Sequence, residues 1–409
     1  MPRKVDRFNV DGEDYVIEPI LDPAPVEGSV HGVESGGVYS AMKQDKTSVP
    51  MFGDNRNFTA NGAAKLRAGT SSGLYWLPLS SYEAYNAAFG NNTIVQGVSY
   101  PYSIWVVYSE DDGATWNNAT VNDPPPANSY FLGFKHSENG HIVGIAFNRS
   151  NDGKIYYSDD DGRTFNKASI PVSIASGDYF DGLEYFKGVW ICSSSDSSTT
   201  LYSTDNGQTW QLSAEYANVN GFSDKSPTAI ISSNAKRSTD GINWTQVGTL
   251  TLCKPSYCDG VWMLSDSAGL YRSNDDGATV TLVVGAGGSS FGRAAYFNGF
   301  WFVTRYVSNT SKSYMIVFND KFSSWSQVNS LELPDTFTVD LYNIDNILFS
   351  NLATSHIRRS LDGMNWSNTT LSSLGTGGYG FIGIRYKDGK LMVSEDQVTY
   401  NRPVYITHL

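Results

Sequence analysis

One short motif recurs along this chain of 409 residues and limits what it can fold into. Residues 109–116 read Ser-Glu-Asp-Asp-Gly-Ala-Thr-Trp, which gives the pattern S-x-D-x-G-x-T-W. Two further segments, 158–165 and 203–210, follow the same pattern with Phe or Trp at the end. Any fold for this chain has to place several copies of one local turn in equivalent positions.

Four less complete copies extend the series. Residues 273–280 keep all but the final aromatic residue, 238–244 and 360–366 are one residue shorter, and 319–325 form a degenerate copy. The motif residues are Ser109, Asp111, Gly113, Trp116, Ser158, Asp160, Gly162, Phe165, Ser203, Asp205, Gly207, Trp210, Ser238, Asp240, Gly241, Trp244, Ser273, Asp275, Gly277, Ser360, Asp362, Gly363 and Trp366.

The spacing of the copies predicts a β-propeller. Successive motifs start about 35 to 49 residues apart, and propeller repeats of four strands have periods of about 40 residues. Between motifs the chain repeats an aromatic residue, a Gly turn and an apolar run, as in 185–190, 257–262 and 296–301. Asn-Gly and Asp-Gly turns of this kind favour tight hairpins. No 3.6-residue periodicity indicates a helical repeat.

We therefore predict an all-β chain with a propeller of about seven four-stranded blades over residues 73–409. The segment after Trp366 could instead form an eighth blade, or supply strands that close the first blade. Residues 43–72 are polar and rich in Gly and Asn, which is typical of a connector. Residues 1–42 lie outside the repeat, and 8–17 alternate around Asp11-Gly12 as a small hairpin would.

The motif resembles the Asp-box, also called the bacterial neuraminidase repeat. In that family the boxes lie at the periphery of a propeller, away from the ligand face. The resemblance implies that the box residues are structural: the Asp accepts backbone hydrogen bonds within its own turn, Gly takes a positive φ, and the aromatic residue packs between blades. The Asp159-Asp160-Asp161 run lacks the ligand spacing of a calcium loop.

A second resemblance covers about 30 residues before the repeat. The run G-S-x-x-x-V-x-S-G-G-V-Y-x-A-(M/L) is similar to the N-terminal region of bacteriophage tail-fibre and related virion appendage proteins. The matching residues are Gly28, Ser29, Val33, Ser35, Gly36, Gly37, Val38, Tyr39, Ala41 and Met42. This implies that residues 1–42 attach the protein to a particle and assemble it, with a trimer as the favoured homo-oligomer. The alternative is that the run is a linker and a short helix.

Composition and charge exclude several classes of function. The net charge is -12 and no Lys/Arg-rich run occurs, so nucleic acid is not an expected partner. No run of about 18 apolar residues predicts membrane insertion. Three Cys do not make a disulfide framework, and Cys253 and Cys258 lack the further ligands of a zinc site. We expect no metal and no cofactor.

An enzymatic alternative follows from the Asp-box resemblance, because that family includes sialidases. Such an enzyme needs three Arg, a Tyr–Glu nucleophile pair and an acid Asp. Arg56 and Arg67 precede the first box without the expected R-I-P motif. The remaining candidates, Arg293, Arg305 and Arg385, are expected near inner strands of different repeats.

A two-carboxylate glycosidase is a further alternative, with Asp181 and Glu184 or Asp335 and Asp340 as the acid pairs. We name no catalytic residue and expect a binding protein rather than an enzyme. The favoured hypothesis is a virion protein, made in the cytoplasm of a host bacterium, whose propeller binds a host-surface receptor or glycan. A purely structural decoration protein is the remaining alternative.

Overall fold

The structure is a computed structural model, and every regular element in the part of the chain that it describes is a β-strand. The described residues are 8–10, 13–15, 84–98, 106–111, 115–126, 129–137, 139–148, 154–171, 180–194, 197–219, 223–258, 260–319, 327–333, 340–344, 347–351, 356–363, 365–370, 381–387, 390–395 and 404–408. The predicted connector, the run 28–42 with its alternative short helix, and Gly113 lie outside them.

A small hairpin and the first four sheets account for the strands up to residue 246. The hairpin pairs β1 Phe8–Val10 with β2 Glu13–Tyr15. Sheet 1 is β3 Ala84–Phe89, β4 Ile94–Val98, β5 Val106–Ser109 and β6 Asn117–Asn118; sheet 2 is β7 Thr120–Val121, β8 Ser129–His136, β9 Ile142–Asn148, β10 Lys154–Ser158 and β11 Thr164–Lys167; sheet 3 is β12 Gly182–Phe186, β13 Val189–Ser194, β14 Thr199–Ser203 and β15 Gln211–Leu212; sheet 4 is β16 Asp224–Lys225, β17 Ile230–Ile231, β18 Lys236–Ser238 and β19 Thr245–Gln246.

Four more sheets follow. Sheet 5 is β20 Lys254–Cys258, β21 Val261–Ser265, β22 Gly269–Ser273 and β23 Thr281–Gly285; sheet 6 is β24 Ser289–Phe291, β25 Ala295–Phe297, β26 Phe300–Val307, β27 Lys312–Asn319 and β28 Gln327–Leu333; sheet 7 is β29 Leu341–Ile344, β30 Ile347–Asn351, β31 His356–Ser360 and β32 Ser367–Thr370; sheet 8 is β33 Phe381–Lys387, β34 Lys390–Glu395 and β35 Val404–His408.

The strand order confirms the predicted propeller architecture. Within sheets 1 to 7 the main strands pair antiparallel in chain order, and in sheet 6 both β24 and β25 pair with β26. Sheet 1 takes its four strands from residues 84–118, whereas residues 381–408 make a three-stranded sheet of their own. None of the described strands of the tail therefore belongs to sheet 1. The number of blades stays a prediction.

Each described box joins the third and fourth main strands of its sheet. In sheet 3, Ser203 Oγ donates a hydrogen bond to Asp205 Oδ1 at 2.7 Å, and the amide of Thr209 donates to the same carboxylate oxygen at 2.9 Å. The amide of Gly207 donates to Ser203 Oγ at 3.0 Å. The Ser–Asp contact is repeated in five other boxes, at Ser109–Asp111, Ser158–Asp160, Ser238–Asp240, Ser273–Asp275 and Ser360–Asp362.

The box glycines have a second constraint besides their positive φ. At Gly207, where φ is 84°, an added Cβ would lie 2.5 Å from Val143 Cγ2 in the second strand of the preceding sheet. The same packing on the preceding sheet occurs at Gly162 on Val95, Gly241 on Val189, Gly277 on Ile231 and Gly363 on Phe302. Each box therefore holds two neighbouring sheets close together.

In the long boxes of sheets 2 and 5 the residue before Gly also has a positive φ and ties the box to the preceding sheet. Asp161, with φ of 60°, accepts hydrogen bonds from the amides of Asn91 and Asn92 at 2.6 and 2.7 Å. Asp276, with φ of 59°, accepts one from Ser226 Oγ at 2.6 Å. Asn and Asp tolerate this conformation better than other residues with a Cβ.

The apolar core lies between successive sheets. One buried cluster joins Val143 of sheet 2 to Trp190 and to the box residue Trp210 of sheet 3. Phe165, Trp210 and Trp244 are buried at the ends of their boxes, while Trp116 and Trp366 are half-buried. Burying an aromatic side chain of this size contributes on the order of 2–3 kcal/mol.

Candidate functional site

A polar belt occupies one equivalent position in the first main strands of sheets 2 to 5. Its members face core residues Val143, Ile191, Ile231 and Met263 across the first hairpin of each sheet. These members are Lys135, Glu184, Asp224 and Ser256. We call them, together with Lys225, Lys254, Arg293 and Asp340, the axial belt.

The belt links each sheet to the next. Lys135 Nζ forms an ion pair with Glu184 Oε1, and Lys225 Nζ lies 3.8 Å from Glu184 Oε2. The amide of Tyr257 donates to Asp224 Oδ2 at 3.0 Å. These contacts run from sheet 2 to sheet 5 along the first main strands, so the inner wall of the propeller carries a continuous polar seam. Glu184 is only 8% exposed, and its two lysine partners supply the charge that a buried carboxylate requires.

Two ion pairs skip a sheet. Arg293 Nη2 of sheet 6 lies 2.8 Å from Asp224 Oδ2 of sheet 4, and Lys254 Nζ of sheet 5 lies 2.8 Å from Asp340 Oδ1, directly before sheet 7. Side chains that bypass an intervening sheet in this way meet at the inner ends of the sheets. Burial disfavours the charge of Arg293, but the carboxylates of Asp224 and Asp340 outweigh burial and raise its pKa. The guanidinium is therefore fixed as a cation.

The belt reaches the edge of the propeller opposite the boxes. Because successive strands alternate in direction, the first hairpin and the box of a sheet lie at one edge, and the start of the first strand lies at the other. Lys254 begins β20, Arg293 precedes β25 by two residues and Asp340 directly precedes β29. This is the edge at which the Asp-box resemblance places ligands.

The three arginines predicted as a candidate triad are not distributed as expected. Arg293 and Arg305 both come from sheet 6 instead of from different repeats, because β24, β25 and β26 belong to one sheet. Arg305 Nε donates to Ser289 Oγ at 3.0 Å, whereas Arg293 Nε donates to Ser256 Oγ at 3.2 Å. The backbone of Arg385 pairs with Met392 in sheet 8, and its side chain lies outside the described part of the structure.

The structure describes three of the four acids considered for a glycosidase. Glu184 and Asp340 are both in the axial belt, each held by a lysine. Asp181 lies before β12, where its amide donates to the Ser193 carbonyl at 3.0 Å. Asp335 is outside the described residues. The belt thus gathers one member of each predicted pair, and a further signal in the sequence marks its position: Glu184 and Ser256 directly precede the Tyr of the repeated hairpin motif.

Fold and boxes define the protein as an Asp-box β-propeller. A family model described as "Sortilin, neurotensin receptor 3" matches residues 104–252, a segment that contains four of the boxes, so this part of the propeller is similar to the sortilin type. No curated protein matches the chain.

Solved structures with similar folds include several propellers. The chain is similar to YCF48 from Cyanidioschyzon merolae, with 12% identity, a TM-score of 0.48, and coverage of 82% of this chain and 98% of that one. It is also similar to an ancestral GH74 enzyme, with 12% identity, a TM-score of 0.43, and coverage of 81% and 55%. The WD40 β-propeller domain of Doa1 aligns at 10% identity, with a TM-score of 0.42 and coverage of 80% and 92%.

Within the described ranges, no group of three or more His, Cys, Asp or Glu side chains is placed to hold a metal ion. No helix long and apolar enough to cross a membrane occurs in the same ranges.

Proposed function

We propose that the protein is a virion appendage protein, comparable to a phage tail or collar fibre, whose propeller binds a host-surface receptor or glycan. The observation that carries this proposal is the Gly28–Met42 run, with its resemblance to the N-terminal regions of such proteins. Residues 1–42 would bind other virion proteins and assemble the chain as a homo-oligomer, for which we favour a trimer.

The arrangement of the propeller supports a binding role for the edge opposite the boxes. The boxes make contacts between sheets, and their carboxylates accept hydrogen bonds that stabilise the fold. The axial belt leaves Lys225 and Lys254 partly exposed, with side-chain exposures of 45% and 30%. Charged and hydroxyl groups on a rigid inner wall suit the recognition of a polar ligand such as a glycan.

Location in the particle is the direct test. Immunogold labelling of phage particles that encode this chain should place it on the head, collar or tail, with its propeller outward. Light scattering on the full chain and on a variant lacking residues 1–62 should show that only the full chain is oligomeric. Absence from purified particles would overturn the proposal.

A product assay distinguishes a binding protein from a glycan-cleaving enzyme. Purified full chain is incubated with bacterial-surface glycans and with sialylated glycans, and released reducing ends are measured. A binding protein adsorbs to cells without releasing sugar. Release by the native chain, lost in Arg293→Ala, would instead support a sialidase-like enzyme.

A further inference from the structure

Sheet 5 carries a lateral cavity at its box, away from the axial belt. Its volume is about 400 Å³. It is lined by Arg272, by polar residues of the box and by residues of β23, the strand after the box; these include Asn274, Asp275, Thr281, Leu282 and Val283.

The cavity depends on the length of the strand that follows the box. In sheets 1, 3 and 4 that strand has two residues, and in sheet 2 the parallel strand β7 lies along it. In sheet 5 the corresponding strand, β23, has five residues and a register shift opposite Leu270 and Tyr271. Of the strands that follow the six boxes with a Ser–Asp contact, β23 is the longest, and it extends the wall beside the box at the cavity.

The chemistry of the lining is amphipathic. Leu282 is 52% exposed, and Val283 lies beside it. Around this apolar wall stand an amide at Asn274 and a hydroxyl at Thr281, both on exposed residues. A ligand that fills the cavity has to offer a C–H face to the leucine and hydroxyl groups to the polar side chains.

Charge distinguishes between ligand classes. The formal charges of Arg272 and Asp275 cancel, and the other lining residues are neutral, although the whole chain carries -12. Asp275 stays ionised, since Ser273 and Thr279 donate hydrogen bonds to its carboxylate. The overall acidity disfavours a multiply anionic ligand, and the one cationic residue of the lining, Arg272, is balanced by Asp275.

We infer that the lateral cavity of sheet 5 is a subsite for a neutral saccharide unit, with Leu282 against the sugar ring and with Asn274 and Thr281 bonded to its hydroxyls. This inference goes beyond the proposed function, because it places a second saccharide contact on the box side of the propeller. It requires neither a virion nor a ligand at the axial belt.

The test uses the full chain and saturation-transfer NMR with titration. The neutral probes are maltotriose, cellotriose and lactose, and the acidic probes are 3′-sialyllactose and trigalacturonic acid. We expect millimolar binding of at least one neutral probe. Asn274→Ala and Leu282→Ala should each weaken it about fivefold, the effect of losing one hydrogen bond or packing contact.

Leu212→Ala is the matched control. Leu212 stands at the same place after the box of sheet 3 and is 54% exposed, but its strand, β15, has only two residues. The Leu212→Ala variant should bind the probe like the native chain. All variants should keep the native circular dichroism spectrum. Binding of acidic probes alone, no binding of any neutral probe, or equal loss in Leu212→Ala would overturn the inference. Each result is independent of whether the chain is found in particles.

Discussion

Arg293 and Asp224 form an ion pair with 2.8 Å between Nη2 and Oδ2, although they come from sheets 6 and 4. Their side chains are only 15% and 25% exposed. A pair that bypasses one sheet holds three sheets at a fixed mutual position. The axial belt is therefore a clamp between these sheets, and under the proposed function the same residues would serve both stability and ligand binding.

The clamp predicts a stability loss when its cation is removed. Arg293→Gln should lower the free energy of unfolding by about 2 kcal/mol, because it leaves the carboxylate of Asp224 without its partner. Urea unfolding measures the change. The double variant of Arg293→Gln and Asp224→Asn should lose less free energy of unfolding than the sum of the losses in the two single variants.

An exposed pair provides the control for this prediction. Lys167→Gln breaks the ion pair between Lys167 and Asp123, whose side chains are 38% and 70% exposed. Solvent screens such a pair, so the change should stay within about 0.5 kcal/mol. Equal losses in Lys167→Gln and Arg293→Gln would show that the clamp does not hold the ring.

The packing of box glycines predicts different effects for two glycines with the same backbone conformation. Gly188 and Gly207 have φ of 85° and 84°, but an added Cβ meets nothing within 4 Å at Gly188 and lies 2.5 Å from Val143 Cγ2 at Gly207. Gly188→Ala should cost about 1 kcal/mol from backbone strain alone. Gly207→Ala should cost at least about 1 kcal/mol more, because the collision adds to the strain.

A compensating change tests the collision itself. Val143→Ala removes the methyl group that an alanine at Gly207 would strike, so the double variant should be more stable than additivity of the single changes predicts. Calorimetry of thermal unfolding gives the change in stability for the two single variants and for the double variant. If the stability losses of the two single variants simply add in the double variant, the whole cost of Gly207→Ala comes from its positive φ.

The sequence predicts the parts of this fold that depend on local chemistry. The box pattern and the Gly turns of 187–188 and 298–299 specify their own conformations, so the strand order and the place of each box follow from spacing. The second role of Gly207 was not predictable, because it depends on how closely Val143 of another sheet approaches. The same holds for Asp276, whose partners lie in the hairpin of sheet 4.

The axial belt depends on non-local geometry as well. Lys135, Glu184, Asp224 and Ser256 share a register position, but no common residue type marks it. The pairing of Arg293 with Asp224 requires the sheets to be in place around a common centre. The lateral cavity could not be predicted from the sequence either, because it is lined by β23 and no motif marks the length of that strand.

Acid should destabilise the protein through its boxes. Burial acts to raise the pKa of Asp240 and Asp275, but hydrogen bonds from Asn243, Thr279 and the box serines outweigh it and lower both pKa values from 3.8 to about 2. Because the folded-state pKa is depressed, this stabilisation is present above pH 4 and is lost as the pH falls towards 2.

The measurement is the melting temperature as a function of pH. It should fall between pH 4 and pH 2, and the fall should be smaller in the double variant Asp240→Asn with Asp275→Asn. That variant should also melt lower than the native chain at pH 7, since an amide oxygen is a weaker acceptor than a carboxylate. An unchanged acid slope in the double variant would contradict the role given to these carboxylates.

The burial of the three cysteines predicts which of them react with a thiol reagent in the folded protein. None is in a disulfide; Cys192 and Cys253 are buried and Cys258 is half-buried. Burial raises the pKa of Cys192 well above its usual range and that of Cys253 to about 12, which suppresses the reactive thiolate. Under native conditions only Cys258 should react with Ellman's reagent, whereas all three should react in denaturant. Cys258→Ser should remove the native reaction, and fast labelling of Cys192 in the folded protein would show that sheets 2 and 3 are not closely packed.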